Sequence, residues 1–329
     1  MLTRRHMLAS AGAVVLNAAT GVANAESSYA NQPVHILVGY AAGGGVDIIA
    51  RLLQEPMKAA LGQPIIVENR TGASAMLATG AVAKAAPDGY TLLACASGEV
   101  AINHFLFKER MSYDPAKELV PIALVGIVPC VVVVAEATPV HNPKELIAYI
   151  RANPGKLSFS SSGIGNPQQL AGELMNTMAG TQVLHVPYRG SAPALQDLMA
   201  GRIDYLCDAV STELSPIKAA SVRPIAMLTM RRTAVLPDVP TAKEQGFAVD
   251  ANNWIGLFFP RGTPDPIIHH LRDATVAAMN TPALRARMET IGTDLVAADR
   301  TSSSYLQHYV ASEIKKWATP IKESGVTVD

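Results

Sequence analysis

The stretch VHILVGYAAGGGVDIIARLLQEPM, residues 34–57, runs from a short apolar segment through three consecutive glycines into an amphipathic helical pattern. A short apolar segment followed at once by a longer helical period is typical of a strand and a helix in an α/β domain. The alternation continues, because QPIIVEN (63–69) and YTLLACA (90–96) also have strand character and a helical pattern lies before each of them. We therefore predict a βαβαβ unit with parallel strands.

A second series of strands and helices begins after the apolar stretch IALVGIVPCVVVVA, residues 122–135. This stretch is shorter than the ~20 residues of a membrane helix, and Pro129 interrupts it, so it indicates two consecutive buried strands. Further strands are predicted at KLSFSSS (156–162), VLHVPY (183–188), IDYLCDA (203–209) and RPIAMLTM (223–230).

The pattern divides the chain into two lobes. The C-terminal part supplies one strand and several helical patterns, so we expect it to pack on the first unit rather than to form a lobe of its own. Lobe 1 then comprises residues 32–126 and 253–329, and lobe 2 comprises residues 127–252. The predicted fold class is α/β, with a mainly parallel sheet flanked by helices in each lobe and a hinge where the chain crosses twice between them.

Composition excludes some functions. The 329 residues are 49% hydrophobic, and 27 basic side chains balance 27 acidic ones. A neutral chain lacks the basic stripe that binds a phosphate backbone, so nucleic acid is not an expected partner. The three cysteines lie in apolar, strand-like segments, which indicates buried free thiols. No metal-ligand spacing is present, and we expect neither a metal nor a cofactor.

The N-terminus has the three parts of an export signal. Arg4 and Arg5 precede an apolar run over residues 7–19, and small residues end at Ala25. We expect residues 1–25 to be cleaved and the mature protein to work in the periplasm. The sequence TRRHML is similar to a twin-arginine signal, although an ordinary secretory signal can also carry two arginines.

The glycine loop does not match a nucleotide motif. A G-x-G-x-x-G fingerprint from Gly43 would need glycine at position 48, where the chain has Ile48, and a phosphate loop would need Gly-Lys where Gly44 and Gly45 stand. Glycines do let a ligand approach the backbone, and the helix beginning near Val46 offers unpaired N–H groups that attract a carboxylate. An alternative is that the glycines only permit the turn and that Asp47 satisfies the helix start.

A similar junction occurs in the second lobe. SSSGIGNPQQL, residues 160–170, is again a strand end, a loop of small residues and a helix start. The hydroxyl groups of Ser160, Ser161 and Ser162 and the N–H groups around Gly163 and Gly165 are neutral donors. Two such junctions on opposite lobes would form a clamp for a small molecule with a carboxylate at each end.

Several blocks of the sequence resemble one family. They are VHILVGYAAGGGVDIIARLL, GQPIIVENRTGASAMLATGAVAKAAPDGYTLL, PVHNPKELIAYIRANPGKLSFSSSGIGNPQQLAGEL, HVPYRGSAPALQDLMAGRIDYLCD, LPDVPTAKEQGF and WIGLFFPRGTP. In this order they are similar to the periplasmic solute receptors of tripartite tricarboxylate transporters, also called Bug-type receptors. The resemblance implies a two-lobed periplasmic binding protein of the type II, Venus flytrap class. Such a receptor closes on a small carboxylate and delivers it to membrane permease subunits, without catalysis.

The resemblance also places the ligand site. Its ligand-binding residues correspond to Tyr40, Gly43, Gly44, Gly45, Val46, Asp47, Ser97, Ser161, Ser162, Gly163, Gly165, Asn166, Tyr188 and Asp208. The family usually has Thr or Ser where this chain has Val46 and Asn166. These departures suggest an unusual mono- or dicarboxylate with an apolar or aromatic body. Pro56 is also unusual within the first helix, and we expect it to kink the helix or end it early.

Other residues could have a metal-binding or ligand-binding role, but the sequence supports these roles less well. His269 and His270 are adjacent, so on a helix they point about 100° apart and cannot chelate one metal ion. Trp254 could line the cleft or pack at the crossing. Asp208 could bind a ligand amine or hydroxyl group, or it could cap the next helix.

Three functions stay open on the sequence. A monomeric receptor that serves a permease is the main hypothesis, and a sensor that signals through a membrane kinase would need the same fold. An exported enzyme acting on a carboxylate is a third reading, although no G-x-S-x-G motif surrounds any serine. We therefore expect no catalytic residues.

Overall fold

The computed structural model describes residues 29–180, 182–247 and 249–324, so the predicted export signal lies outside the described residues. The strands are β1 (Val34–Val38), β2 (Ile65–Asn69), β3 (Thr91–Cys95), β4 (Leu119–Val128), β5 (Cys130–Ala135), β6 (Ser158–Ser161), β7 (Leu184–Pro187), β8 (Tyr205–Ala209), β9 (Val222–Met227), β10 (Asn253–Pro260) and β11 (Asp294–Leu295). The α-helices are α1 (Gly45–Leu61), α2 (Met76–Ala83), α3 (Asn103–Leu106), α4 (Pro115–Glu118), α5 (Pro143–Ala152), α6 (Pro167–Ala179), α7 (Ser191–Met199), α8 (Val210–Lys218), α9 (Asp265–Met279), α10 (Pro282–Thr290) and α11 (Ser303–Ser324).

Lobe 1 is built around a six-stranded sheet in the order β11-β4-β10-β3-β1-β2. Strand β1 pairs in parallel with β2 and β3, as the βαβαβ prediction requires. Strand β10 enters antiparallel between β3 and β4. Helices α1 and α9 cover this sheet, and apolar side chains of α1 such as Ile49, Leu53 and Met57 are fully buried in its core.

Lobe 2 is built around a five-stranded sheet in the order β7-β6-β8-β5-β9. Both faces of its reversed strand β5 are buried. Cys130, Val132 and Val134 pack into the core on one face, and Val131 and Val133 pack on the other. A strand covered on both faces has no polar side, which explains the continuous apolar run CVVVVA.

Most strands of each sheet point in the same direction, but each sheet contains both parallel and antiparallel neighbours. Strands β1 to β4 share one direction in lobe 1, and β6 to β9 share one in lobe 2. Strands β5, β10 and β11 run in the opposite direction, and β5 and β10 are those through which the chain enters a lobe. Only Pro129 separates β4 from β5, and Ala251 still bonds to Leu228 of lobe 2 before β10 begins.

Helix α11 connects the lobes a third time. Its early residue Leu306 is buried in the core of lobe 1, whereas Trp317 and Ile321 are buried in the core of lobe 2. The sequence pattern had placed the whole segment 253–329 in lobe 1. A helix of 22 residues is long enough to span both lobes.

Helix α1 does not end early at Pro56, contrary to one of the two expected outcomes. It continues to Leu61 and ends at Gly62, which has left-handed backbone angles and whose N–H donates to the Lys58 carbonyl. Met57 and Leu61, beyond the proline, are buried, so their packing offsets the hydrogen bond that proline lacks. The three cysteines are buried and free, as predicted.

Candidate functional site: a cleft between the lobes

A cavity lies where the two lobes meet. Lobe 1 lines it with Tyr40, Gly44, Gly45, Val46, Val128, Asn253 and Ile255, and lobe 2 lines it with Ser162, Gln168, Gly190, Ser191, Asp208 and Ala209. The cavity volume is about 20 Å³, room for about one water molecule. A larger guest therefore requires the lobes to move apart. Six of the predicted residues line the cavity, and this lining contains no Lys, Arg or His.

The start of α1 presents backbone donors to the cavity. Gly44 is the residue before the helix, and no side chain caps this end. Gly43 has a φ of +81°, in the left-handed region that favours glycine. The N–H groups of Gly45 and Val46 belong to the first turn, where a helix provides no acceptors. This end of α1 therefore has the partial positive charge and the open donors that bind a carboxylate.

Asp47 supports this loop from behind. Its carboxylate oxygens accept hydrogen bonds from the Gly43 N–H at 2.9 Å, from Arg51 Nε at 3.0 Å and from Asn69 Nδ2 at 2.8 Å. Burial by itself raises the pKa of Asp47, but these bonds outweigh it and hold that pKa below its ordinary value. Asp47 does not line the cavity, and we propose that it shapes the loop rather than touching a ligand.

The second predicted junction is closed by its own side chains. Asn166 Oδ1 accepts a hydrogen bond from the Gln169 N–H at 2.8 Å, and Gln169 Oε1 accepts one from the Gly165 N–H at 2.8 Å. Pro167 follows Asn166 and has no N–H to offer. The start of α6 therefore has fewer free donors than the sequence suggested.

Of the residues around this junction, only Ser162 and Gln168 line the cavity. The Ser161 hydroxyl donates to the Gly163 carbonyl at 2.6 Å and lies 2.8 Å from His185 Nε2. Ser161, Gly163, Gly165 and Asn166 thus form a supporting layer. The structure brings them near the cavity without placing them on its wall.

A different helix of lobe 2 presents an open N-terminus. Helix α7 begins at Ser191, and Gly190 before it has a φ of +126° and provides no side-chain cap. The segment GSAPALQDLMAG contained the signal for this helix, but a one-dimensional pattern could not show that its start faces the glycine loop of lobe 1. Gly190 and Ser191 are functional candidates that sequence reasoning missed.

Asp208 is a buried carboxyl group on the cavity wall. Its Oδ1 accepts a hydrogen bond from the Ala209 N–H at 2.7 Å. Burial raises the pKa of Asp208 to about 6, although Ser191, Ala209 and Gln168 act in the opposite direction. Within the described ranges, no donor completes hydrogen-bond geometry with its Oδ2.

A second carboxyl group lies behind Asp208. Glu213, on α8, is fully buried. Burial first, and then the charge of Asp208, raise the pKa of Glu213 well above its ordinary range. Both causes favour the neutral acid of Glu213 over its carboxylate.

Tyr40 connects the cavity wall to a buried acid. Its hydroxyl donates to Glu99 Oε2 at 3.1 Å, and the Ala96 N–H donates to the same oxygen at 3.2 Å. Burial raises the pKa of Glu99 to about 8, so the neutral acid predominates at neutral pH. Sequence reasoning missed Glu99, because an isolated glutamate in an apolar segment has no motif.

Two other predicted residues face elsewhere. Ser97 is buried behind the wall, where its hydroxyl donates to Asn253 Oδ1 at 3.4 Å. The Tyr188 hydroxyl donates to Asp197 Oδ2 at 2.6 Å, and Tyr188 does not line the cavity.

The structure decides between the open interpretations of Trp254. Its ring is fully buried, and its indole N–H donates to Glu313 Oε2 at 3.1 Å, so it packs at the crossing instead of lining the cleft. His269 and His270 are exposed on α9, and they belong to no group of possible metal ligands among the described residues. Over the described ranges, no helix is both long and apolar enough to cross a membrane.

Comparisons with known proteins agree with this architecture. Residues 49–326 match the sequence model of the tripartite tricarboxylate transporter family receptor. The chain is 36% identical over 305 residues to a protein from Agrobacterium vitis encoded in the TAR-I ttuE-ttuC' intergenic region, covering 92% of this chain and 88% of that one.

Solved structures give the same result. The periplasmic binding protein BugD has a TM-score of 0.84 and 32% identity, with 90% of this chain and 99% of that chain covered. MatC from Rhodopseudomonas palustris, with bound malate, has a TM-score of 0.85 and 32% identity, covering 88% and 99%. Rpa4515 from R. palustris, with adipate, has a TM-score of 0.87 and 31% identity, covering 91% and 99%.

These relatives are binding proteins rather than enzymes, which agrees with the expected lack of catalysis. Their two-lobed α/β fold is the fold of this chain. The chain therefore belongs to the tripartite tricarboxylate transporter receptor family of periplasmic solute-binding proteins.

Proposed function

We propose that this receptor captures a small carboxylate in the cleft between its lobes and delivers it to the membrane permease subunits of a tripartite tricarboxylate transporter. The observation that carries the proposal is the uncapped start of α1, whose Gly44 and Gly45 line a cavity walled by both lobes. A carboxylate would receive hydrogen bonds from these amides, and the dipole of a 17-residue helix would stabilise its charge.

Lobe 2 would complete the site with neutral groups. The open start of α7 at Gly190 and Ser191 and the hydroxyl group of Ser162 face the same cavity. A guest that contacts both lobes binds the closed form more tightly than the open form, so binding would drive closure. Excluding water would strengthen the hydrogen bonds to the guest. Malate and adipate in relatives of this fold support the choice of a carboxylate.

The finer assignments are part of the same proposal. We take residues 1–25 as an export signal of the twin-arginine type and the receptor as a monomer. We take the lobe boundaries to lie close to the expected residues 126 and 253, with the end of α11 packed on lobe 2. The closed form would present surfaces of both lobes to the permease. A carboxylate with an apolar body would fit the apolar side chains of Val46, Val128 and Ile255 on the wall.

Calorimetric titration of the purified mature protein with mono- and dicarboxylates tests the proposal. A ligand at 100 times its dissociation constant should also stabilise the folded state by about 2.7 kcal/mol. Gly44→Ala would place a methyl group among the carboxylate donors, and Ser162→Ala would remove one hydroxyl group, so both should weaken binding. The exposed Glu109→Gln is the matched control. Unchanged affinity in both site variants would refute the assignment.

A further inference from the structure

The cavity is chemically asymmetric. Its lobe 1 wall carries the backbone donors of Gly44 and Gly45, whereas its lobe 2 wall carries the side chains of Gln168 and Asp208 beside those of Ser162 and Ser191. A symmetrical dicarboxylate needs donors at both ends. An acidic side chain on the second wall is a poor partner for a carboxylate, because two like charges in a buried site repel each other strongly.

Two buried acceptor atoms on this wall have no hydrogen-bond partner among the described residues, although Ser191, Ala209 and Gln168 lie close enough to Asp208 to lower its pKa. Asp208 is 0% exposed, and its Oδ2 has no hydrogen-bond partner in the described part of the chain. Gln168 is 2% exposed, and its Oε1 likewise has none. Leaving a buried acceptor unpaired is costly, and folded proteins satisfy the great majority of such atoms. Both residues border the cavity, so a molecule in the cavity can supply the missing donors.

The surroundings of Asp208 strengthen this argument. Neither carboxyl oxygen of Glu213 has a partner among the described residues, so Glu213 gives Asp208 no hydrogen bond. The cavity lining also includes no basic side chain. An ionised carboxyl group in such a place is stabilised by a donor, and most by a charged one.

We propose that Asp208 and Gln168 form a subsite for a hydroxyl or ammonium group of the ligand, so that the receptor selects hydroxy- or aminocarboxylates over unsubstituted acids. This inference rests on the proposed function, because it assumes that the cleft binds a carboxylate. The Asp208 Oδ2 atom accepts the hydrogen bond of the substituent, and Gln168 Oε1 accepts a second one from an ammonium group. The amides at the start of α1 hold a carboxylate at the other end.

Calorimetric titration with matched acids tests the subsite. Each carbon skeleton is offered unsubstituted, hydroxylated and aminated: succinate, malate and aspartate; glutarate, 2-hydroxyglutarate and glutamate; propionate, lactate and alanine. On at least one skeleton, a substituted acid should bind about 10- to 100-fold more tightly than the unsubstituted one. Comparison of the hydroxyl and ammonium arms identifies which donor the subsite takes.

Variants then assign the effect to the two residues. Asp208→Asn keeps the shape of the side chain and should remove most of the advantage of the substituted acid, while the exposed Asp238→Asn should keep it. If Asp208→Asn does not fold, as judged by circular dichroism, Gln168→Met should reduce the advantage of the aminated acid.

These experiments distinguish failure of the subsite from failure of the proposed function. Unsubstituted acids that bind as tightly as their substituted partners on every skeleton would overturn the subsite and leave the proposed function intact. An equal loss for all acids in Asp208→Asn would also overturn the subsite. Failure of every acid to bind would contradict the proposed function itself.

Discussion

A Cβ atom placed on Gly98 would lie 2.7 Å from the carbonyl oxygen of Gly165. The two glycines belong to opposite lobes, one after β3 and the other before α6. Their backbones therefore approach each other closely where the lobes meet beside the cavity. A similar contact occurs at Gly190, where a Cβ atom would lie 3.0 Å from that of Ala41. Closure of the cleft therefore depends on positions that carry no side chain.

Gly98→Ala should weaken ligand binding with little loss of fold. The added methyl group cannot fit the closed form but is relieved when the lobes separate, so it should cost about 1–3 kcal/mol of closure, or roughly 5- to 150-fold in affinity. Calorimetry with any carboxylate that binds the wild type measures this loss. Gly201→Ala is the control, because a Cβ atom placed there would have nothing within 4 Å, so any backbone strain it adds is the same in the open and closed forms. Equal affinities for wild type and Gly98→Ala would contradict the role of this contact.

Glu313→Ala should destabilise the protein by at least ~2 kcal/mol. Glu313 Oε2 accepts the indole N–H of Trp254 at 3.1 Å and that of Trp317 at 3.1 Å, so its loss leaves two buried donors unpaired. Glu313→Gln keeps an acceptor and should lose less. Urea unfolding gives the free energies of unfolding. The fluorescence of Trp254 and Trp317, the only tryptophans in the chain, reports the change in their surroundings.

The matched control for Glu313 is Glu289→Ala, which removes an exposed glutamate from α10. It should stay within about 0.5 kcal/mol of the wild type. A Glu313→Ala protein as stable as this control would show that the two indole bonds contribute nothing.

Glu99 should make stability fall as the pH rises. Burial raises its pKa from 4.5 to about 8, so between these values the folded state keeps a proton that the unfolded state has released. The free energy of unfolding contributed by this group is therefore fully present below about pH 4.5 and is lost as the pH rises toward 8, by at most ~1.4 kcal/mol per pH unit.

Glu99→Gln should remove this dependence, since a glutamine has no proton to lose. Urea unfolding of wild type and variant from pH 5 to pH 8.5 should show the variant gaining stability relative to the wild type as the pH increases. Glu109→Gln, an exposed change on the same segment, should run parallel to the wild type. If the free energies of unfolding of wild type and Glu99→Gln differ by the same amount at every pH, Glu99 does not cause the pH dependence.

Asp47→Ala should weaken both the fold and ligand binding. The variant loses the acceptor for the Gly43 N–H, Arg51 and Asn69, so the glycine loop is no longer fixed and stability should fall by about 1–3 kcal/mol. Unfolding and titration measurements on the same preparation give both quantities. Asp273→Ala breaks only an exposed ion pair with Arg272 and should cost less than about 1 kcal/mol. Full ligand affinity in Asp47→Ala would mean that the loop holds its shape without this side chain.

Much of the fold could be predicted from residue order. The apolar start of residues 34–57 contains β1, and the strand runs at 63–69 and 90–96 contain β2 and β3, since short apolar runs next to helical periods are local features. The packing of α11 could not be predicted this way. Trp317 and Ile321 look like any apolar positions on a helix, and only the distant core of lobe 2 determines where they are buried.

The candidate site was predictable only in part. A run of three glycines before a helix pointed to the start of α1, and the structure places Gly44 and Gly45 on the cavity wall. At the second junction, the side chains of Asn166 and Gln169 satisfy the N–H groups that the pattern left open. Gly190 and Ser191 are also small residues at the start of a helix, but no spacing rule tells which of several helix starts in lobe 2 faces lobe 1.

The sequence by itself determined the α/β class and the order of the elements, because hydrophobic period and loop composition act over a few neighbouring residues, and the resemblance of its blocks pointed to the family. Only the tertiary structure decided which polar groups share the cleft. Asp208 and Tyr40 line the same cavity because β8 and β1 end on facing lobes. Burial at this place, rather than the neighbours in the chain, raises the pKa of Asp208 and of Glu99 behind Tyr40.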